Sequence, residues 1–415
     1  MTPPAITLFG NFGTQNLGNE YTLQAIVENL RRIVPGARIN CVCPEPRDAA
    51  ARHGISAFLM SYRYAPEYRS RPRRRAGIFK WLRRVLVRLP LELFQWALAF
   101  KALKGTRLLV MTGTGMLGDF GIGPFDLHYE ILKWSLVAKL RGAKLLFVSV
   151  GAGPIADPLS RWIVKRALAL ADYRSYRDAF SREYLARIGF DTGRDFVYPD
   201  LAFSLQPSVP DGRERPPDDR VVAMGLMDYY GTRSSPARGE DVYRRYVEKT
   251  AAFAGWLLDR GYTVELLVGD VAYDTRVQGD VRRIVGERVG DGRGRLVERN
   301  VSSAEELLAH LAKTDMVVAT RFHNIVLALM LDKPVVALSY HEKIASLMSG
   351  VGLADFCQEV DTLDVSGLVE RFTRLEREAA AARSLIGRRT AEYRKALDEQ
   401  YARISRMFES QKPRA

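Results

Sequence analysis

The sequence is poor in cysteine, and its few thiols exclude a disulfide scaffold. Cys41, Cys43 and Cys357 are the three cysteines among 415 residues. Cys41 and Cys43 are two apart on a predicted strand, so they point to the same face, and we expect them to be small buried residues. A metal site would need two more ligands nearby, and the sequence offers none. Such low cysteine use suits a reducing compartment.

Long apolar runs are also missing, which excludes a membrane-spanning helix. The most apolar stretch, residues 89–100, contains Glu92 and is much shorter than the roughly 20 apolar residues that a bilayer requires. The N-terminus has no basic region before its first apolar run, so we predict no secretory signal. We therefore expect the protein to be cytoplasmic.

The composition is otherwise that of an ordinary globular protein. Hydrophobic residues make up 47% and charged residues 27%, values that exclude a disordered, collagen-like or coiled-coil chain. At about 150 residues per domain, the length predicts two or three domains.

Acidic residues are too few to balance the basic ones, and the excess is local. The formal net charge is +14, and residues 61–107 contain thirteen Lys or Arg residues against Glu67 and Glu92. Apolar residues interleave with these charges at helical spacing, a pattern typical of helices that lie on anionic lipid. A solvated loop followed by a core helix explains the segment equally well. We expect no nucleic-acid partner, because no nucleic-acid fold signature accompanies the charge.

Short apolar runs alternate with amphipathic stretches, and this order predicts parallel α/β sheets. Strands are predicted over residues 144–150, 221–226, 263–268 and 316–319, among others, and one of the helices over residues 21–33. Proline and glycine cluster near residues 206–219, after which the alternation restarts. We therefore predict two Rossmann-like, doubly wound domains facing a cleft. The first comprises residues 1–208, with 61–107 as a basic amphipathic insertion, and the second comprises residues 209–415, with long C-terminal helices.

Glycine-bearing loops follow three predicted strands of the first domain. Glycine lets a backbone approach a ligand closely, and ligands of such sheets bind beyond the carboxyl ends of the strands. Independent tight turns are the alternative interpretation of each loop. Together the loops predict a shared binding cleft lined by Asn16, Gly18 and Glu20, by Gly113, Gly115 and Asp119, and by Gly151 and Gly153.

An arginine follows another strand of the same predicted domain. Arg177 stands beside Asp178 where a strand gives way to a helix. A guanidinium at a strand end can form a bidentate pair with a carboxylate or a phosphate. A local salt bridge between Arg177 and Asp178 is the alternative.

The second predicted domain places further cations after two neighbouring strands. Arg321 and His323 open a helix, and histidine is the usual proton carrier near neutral pH. Tyr340 and Lys343 follow the next strand. With Arg177, these cations predict a site for a small polyanion that carries both a phosphate and a carboxylate. We expect no metal, because the strand ends show no carboxylate cluster of the type that binds divalent ions.

An ordered set of motifs resembles the polysaccharide pyruvyl transferase family. Any one motif is unspecific, but the set follows the family's order over most of the chain. Asn19 stands where the family usually has aspartate, and Thr114 where it usually has glycine, and both departures concern the acceptor more than the donor. The motifs are residues 16–20, 113–119, 151–154, 176–178, 199–203, 319–323 and 331–343.

The resemblance implies a two-domain fold like that of GT-B glycosyltransferases. It also implies transfer of a pyruvyl group from phosphoenolpyruvate to a sugar, which gives a pyruvate ketal and phosphate. Arg177, Arg321 and His323 would hold the donor, with Lys343 as a further contact. The implied partners are phosphoenolpyruvate, which is a substrate and not a cofactor, and a glycan or lipid-linked oligosaccharide.

Two other functions remain open on the sequence alone. A GT-B-type nucleotide-sugar glycosyltransferase would also need basic groups at strand ends. A non-catalytic glycan- or membrane-binding relative is the other alternative, although the presence of both Arg321 and His323 argues against it. The acceptor sugar, the position of the ketal and the oligomeric state are left open.

Overall fold

Two compact units make up the chain. The computed structural model describes residues 3–64, 78–118, 122–207, 219–231, 236–271, 273–289 and 294–411, with side chains for all except 64, 78–88 and 236–238. Unit 1 comprises Met1–Thr14, Thr22–Asp200 and Glu399–Ala415, and unit 2 comprises Gln15–Tyr21 and Leu201–Asp398.

Unit 1 is built on a parallel sheet of seven strands in the order β3-β2-β1-β4-β5-β6-β7. The central strands are almost entirely buried, because helices cover both faces of such a sheet, and their sequences are accordingly continuous apolar runs. The strands are β1 (Ala5–Phe9), β2 (Arg38–Cys43), β3 (Ser56–Leu59), β4 (Thr106–Thr112), β5 (Lys144–Val150), β6 (Tyr173–Tyr176) and β7 (Phe196–Val197).

The helices of unit 1 pack their apolar sides on this sheet. Phe9, Trp134 and Phe147 lie in the shared core. Cys41 and Cys43 are buried free thiols, as expected. The helices are α1 (Leu17–Ile33), α2 (Pro46–His53), α3 (Ile78–Ala102), α4 (Tyr129–Leu140), α5 (Pro158–Ala169) and α6 (Ala179–Arg187).

Unit 2 contains a second parallel sheet, of six strands in the order β10-β9-β8-β11-β12-β13. The strands are β8 (Val221–Leu226), β9 (Thr263–Val268), β10 (Leu296–Glu298), β11 (Met316–Ala319), β12 (Val335–Ser339) and β13 (Cys357–Glu359). The helices are α7 (Pro236–Asp259), α8 (Thr275–Val289), α9 (Ala304–Ala312), α10 (Phe322–Met330), α11 (Glu342–Gly350), α12 (Val365–Arg377) and α13 (Ala379–Glu409).

Each sheet reverses its winding direction once, which creates the crevice where ligands of doubly wound sheets bind. The reversal lies between β1 and β4 in unit 1 and between β8 and β11 in unit 2. The predicted loops at residues 113–119 and Arg321 with His323 follow β4 and β11, so they lie at these two reversals. The prediction of two doubly wound parallel sheets is confirmed.

The two units differ from the predicted domains in three segments. The boundary falls after Asp200 and not after residue 208. Residues 15–21 group with unit 2 because residues 15–17 pair with residues 269–271 there. Residues 399–415 group with unit 1, where Gln400 donates to the Ser175 hydroxyl at 2.6 Å and accepts from the Ser149 hydroxyl at 3.1 Å. These contacts join distant parts of the sequence, so the local order of apolar residues does not predict them.

Helix α1 begins at Leu17, four residues before the predicted start at residue 21. Gly18 and Glu20 therefore lie in its first turn and not in a preceding loop. Among the described helices, none has an apolar stretch long enough to cross a bilayer. Residues 65–77 of the basic cluster predicted at residues 61–107, and residues 208–218 of the proline-rich boundary, lie outside the described residues.

Candidate active site

The two glycine loops that follow β4 and β5 are hydrogen-bonded to each other. Leu117 N–H donates to the Gly151 carbonyl at 3.2 Å, and Gly153 N–H donates to the Leu117 carbonyl at 3.1 Å. Gly151 N–H in turn donates to the Thr114 carbonyl at 3.2 Å. Gly115 is exposed, and a Cβ there would meet open space. Main-chain groups of two adjacent strand ends thus form one continuous surface.

Arg177 lies directly against this surface, and the glycine at position 151 makes room for it. A Cβ on Gly151 would come within 2.6 Å of Nη2 of Arg177. The guanidinium is 8% exposed and donates to Asp200 at 3.3 Å, while Asp178 lies 3.7 Å from its Nε. Asp178 accepts the Ser181 N–H at 2.7 Å and caps α6. The salt bridge between Arg177 and Asp178 was one of the two predicted alternatives, but the carboxylate of Asp200 lies closer to the guanidinium.

In unit 2 the segment of residues 15–17 is fixed to the loop that follows β9. Leu17 N–H donates to the Gly269 carbonyl at 3.2 Å. The Asn16 amide donates to the Asp270 carboxylate at 3.0 Å, and its oxygen accepts the Asn19 N–H at 3.2 Å. Asn16 is therefore a positioning residue for the start of α1.

Gly18 lies against the imidazole of His323. A Cβ at position 18 would lie 1.8 Å from Cγ and 2.1 Å from Nδ1 of His323. Such a distance is a collision, so a residue larger than glycine cannot keep this arrangement. The first turns of α1 and α10 are therefore in contact. Helix α1 contributes the backbone of Gly18, and helix α10 contributes the ring of His323. Both residues were predicted for the site, and the structure brings them together.

Arg321 already forms an ion pair with a carboxylate of the protein, which the sequence did not predict. Its Nε donates to Asp274 at 2.7 Å, and its Nη2 donates to the other oxygen of the same carboxylate. Burial disfavours the charged form of Arg321, but the hydrogen bonds and charge of Asp274 outweigh burial and raise the pKa of Arg321. An arginine has five N–H donors. Asp274 takes two, and the described residues take no others.

Asp274 is itself held from several sides, so the orientation of Arg321 is fixed. This carboxylate is fully buried. It accepts the backbone N–H groups of Asp228 and Asp270, each at 3.0 Å. Burial, with a contribution from the charge of Asp274, raises the pKa of Asp228. Sequence analysis missed Asp274, because it precedes a helix without any recognisable motif.

A second residue that sequence analysis missed is Asn324, which follows His323 in α10. The side chain of Asn324 is fully buried between two glycines at the ends of β8 and β9. A Cβ on Gly225 would meet its Nδ2 at 2.6 Å, and a Cβ on Gly269 would meet its Oδ1 at 2.6 Å. A glycine at each of two neighbouring strand ends was the available signal. This fit fixes the first turn of α10, which carries both Arg321 and His323.

Lys343 and Tyr340 lie beside the same helix. The Lys343 ammonium is 4.9 Å from the ring centre of Tyr340 and 5.6 Å from that of Phe322, the first residue of α10. Both are cation–π distances. The Tyr340 ring lies 6.3 Å from that of Tyr229, whose hydroxyl donates to Asp361 at 2.7 Å. Burial raises the pKa of Tyr229.

The structure therefore groups the predicted residues into two sets, one in each unit. Convergence of Arg177 with Arg321 and His323 on one pocket stays a prediction, and Asp119 lies outside the described residues. Among the described side chains, no group of three or more His, Cys, Asp or Glu could hold a metal ion. The unit 1 set is Gly113, Gly115, Gly151, Gly153, Arg177 and Asp178, and the unit 2 set is Asn16, Gly18, Glu20, Arg321, His323, Tyr340 and Lys343.

Comparison with known families gives one match, which covers most of the chain. The family described as polysaccharide pyruvyl transferase matches residues 16–342. That range includes every residue of the two sets except Lys343. No curated protein sequence matches the chain at a significant level.

Several solved structures share the fold over nearly the full length. A putative UDP-N-acetylglucosamine 2-epimerase from Listeria monocytogenes has a TM-score of 0.62 at 12% identity, covering 99% of this chain and 98% of that one. A glycosyltransferase from Rickettsia africae has a TM-score of 0.56 at 13% identity, covering 97% and 99%. Anabaena HepE, in complex with UDP and glucose, has a TM-score of 0.53 at 16% identity, covering 96% and 99%. The predicted GT-B-like class, with two parallel α/β domains, is confirmed.

Proposed function

Since the chain belongs to the polysaccharide pyruvyl transferase family, we propose that it moves the pyruvyl group of phosphoenolpyruvate to a sugar. The acceptor is a cell-surface polysaccharide or its lipid-linked precursor, and the product is a pyruvate ketal. The protein is thus a transferase of polysaccharide biosynthesis, and the proposal adds its donor, its acceptor class and the roles of its residues.

The proposal depends most on the contact between Gly18 and His323. The half-buried imidazole rests on backbone and follows a strand at the reversal point of a doubly wound sheet, where ligands of such sheets bind. Two residues before it, Arg321 is oriented by Asp274, and three of its five N–H groups have no partner among the described residues. An acid–base group next to a fixed guanidinium is what a phosphorylated enol acid requires.

The donor carries two anionic groups, and the candidate residues supply cations for both. In this proposal Arg321 binds one of the anionic groups of phosphoenolpyruvate and Arg177 the other. Asp274 and Asp200 hold these guanidinium groups in place. Lys343 adds a positive charge beside the first residue of α10. A guanidinium with a fixed orientation loses little freedom when it binds an anion, which favours bidentate recognition.

The reaction needs one proton at C3 of the donor, and two sugar hydroxyls each lose a proton. His323 gives a proton to C3 of the enol, so that C3 becomes a methyl group and C2 becomes oxocarbenium-like. One sugar hydroxyl adds to C2, the C2–O bond to phosphate breaks, and the second hydroxyl closes the ketal. One hydroxyl proton returns to His323 and the other leaves with the phosphate. A positioned acid–base group typically contributes about 10²–10⁴-fold.

A nucleotide-sugar glycosyltransferase remains the rival, because the solved structures of the same fold include a glycosyltransferase and proteins in complex with UDP. At their low identities these structures support the fold alone. The two functions release different products: phosphate from phosphoenolpyruvate, or UDP from a nucleotide sugar. A non-catalytic relative would release neither.

We therefore expect the purified protein, given phosphoenolpyruvate, a UDP-sugar and a lipid-linked glycan in one reaction, to release phosphate and not UDP, in proportion to the ketal formed. His323→Gln should lower kcat by about 10²–10⁴-fold, because the proton donor is lost. His310→Gln is the matched control: His310 lies in α9 near Glu265 and has no role in the proposed chemistry. Near-wild-type turnover of His323→Gln would show that His323 is not the proton donor. Release of UDP without phosphate would favour the glycosyltransferase.

A further inference from the structure

Helix α3 of unit 1 exposes an apolar face. Leu89, Leu93 and Phe94 are 60%, 62% and 58% exposed, and Leu98 is 42% exposed. They lie within three turns of one helix. Singly exposed apolar residues are common, but a contiguous set of four large ones marks an interaction surface.

The opposite face of α3 anchors the helix to the rest of unit 1. Trp96 donates to the Tyr129 hydroxyl at 3.1 Å, and that hydroxyl donates to Glu92 at 2.8 Å. Lys133, which is buried, lies 3.3 Å from the same Glu92 carboxylate. Gln95 and Ala99, on the same side of the helix, are buried as well, Ala99 almost completely. The exposed apolar face is therefore the outer side of a firmly attached helix.

Charge determines which partner fits this face. The segment of residues 61–107 has thirteen basic residues against two acidic ones, and one of the acidic residues, Glu92, is committed to the inner face. Lys101 and Lys104 are exposed at the end of α3. An apolar face flanked by positive charge is complementary to a lipid surface, where anionic headgroups cover an apolar interior. Two copies of such a face would instead bring like charges together and repel each other.

We propose that α3 docks the protein on an anionic lipid surface. In this arrangement Leu89, Leu93, Phe94 and Leu98 enter the boundary between headgroups and acyl chains, and the exposed Lys101 and Lys104 contact the headgroup phosphates. The helix lies in the plane of the surface and does not cross it. This inference is independent of the proposed reaction.

Vesicle flotation tests the proposal with the full chain. We expect the protein to float with vesicles of equimolar phosphatidylglycerol and phosphatidylcholine but not with phosphatidylcholine alone, and high salt should weaken binding. The double substitution Leu93→Ser and Phe94→Ser should weaken binding by about tenfold. Because both side chains are exposed, the melting temperature of the variant should match that of wild type.

A matched control lies on another helix of unit 1. Trp162 in α5 is 49% exposed, and Trp162→Ser should leave vesicle binding unchanged. Absence of flotation with anionic vesicles at low salt would overturn the proposal. So would equal binding by the double variant and wild type. If light scattering shows that the double substitution instead splits a dimer, the face joins two copies of the chain and the lipid assignment is wrong.

Discussion

At the scale of single residues, the candidate site depends on where glycine stands. Glycine at position 18 admits the His323 ring, glycine at 151 admits Arg177, and glycines at 225 and 269 admit Asn324. Sequence analysis singled out the glycines at 18 and 151 but not those at 225 and 269. It could not say which side chain each would receive, because most of those partners come from distant parts of the chain.

Gly18→Ala should therefore impair catalysis more than folding. In an open helical position, alanine stabilises by roughly 0.5–1 kcal/mol relative to glycine. At position 18 the added methyl group collides with the imidazole and with Cβ of His323. His323 must therefore shift by more than an ångström, and a misplacement of about 1 Å can already cost about 10²-fold in rate. Steady-state kinetics of ketal formation measure this loss.

Gly279→Ala provides the control for that substitution. Gly279 lies inside α8, and a Cβ there would meet open space. This variant should gain roughly 0.5–1 kcal/mol of stability and keep its activity. If Gly18→Ala behaves in the same way, the packing of His323 on α1 has no functional importance.

At the scale of elements, apolar periodicity predicted most strands and helices but not their attachments. The strands at Lys144–Val150, Val221–Leu226, Thr263–Val268 and Met316–Ala319 were predicted with the bounds that the structure has. The start of α1 was placed four residues late, because its first turn contains polar residues and glycine. Helix α13 was recognised as long and helical, but its pattern does not tell that its final turns, with the buried Tyr401, Ile404 and Phe408, belong to unit 1.

Gln400→Leu tests the attachment of α13 to unit 1. The side chain is fully buried and bridges the hydroxyls of Ser149 and Ser175. Leucine would leave both hydroxyls without this partner, which should lower the free energy of unfolding by about 1–3 kcal/mol. Gln24→Leu, at an exposed i,i+4 pair with Glu28 in α1, should change it by only about 0.2–0.5 kcal/mol. Equal effects in urea unfolding would show that the buried bridge is not stabilising.

At the scale of the whole molecule, both doubly wound sheets place cationic groups after their strands. Arg321 and His323 lie at the reversal point of the sheet in unit 2, whereas Arg177 follows β6, away from the reversal between β1 and β4 in unit 1. The alternation of strands and helices predicted both sheets, and the motif order predicted the family. The carboxylates that orient the arginines, Asp200 and Asp274, were not predicted as such partners, since pairs separated by 23 and 47 residues leave no local pattern.

The central claim is that the pyruvyl group of phosphoenolpyruvate reaches the glycan. The most direct measurement is mass spectrometry of the acceptor after incubation with ¹³C-labelled phosphoenolpyruvate and an unlabelled nucleotide sugar in one reaction, with wild type and His323→Gln in parallel. We predict that wild type adds a labelled pyruvate, less one water, to the glycan, and that the variant does not. A glycan that gains an unlabelled sugar residue instead, or no mass at all with any acceptor of this class, would contradict the account.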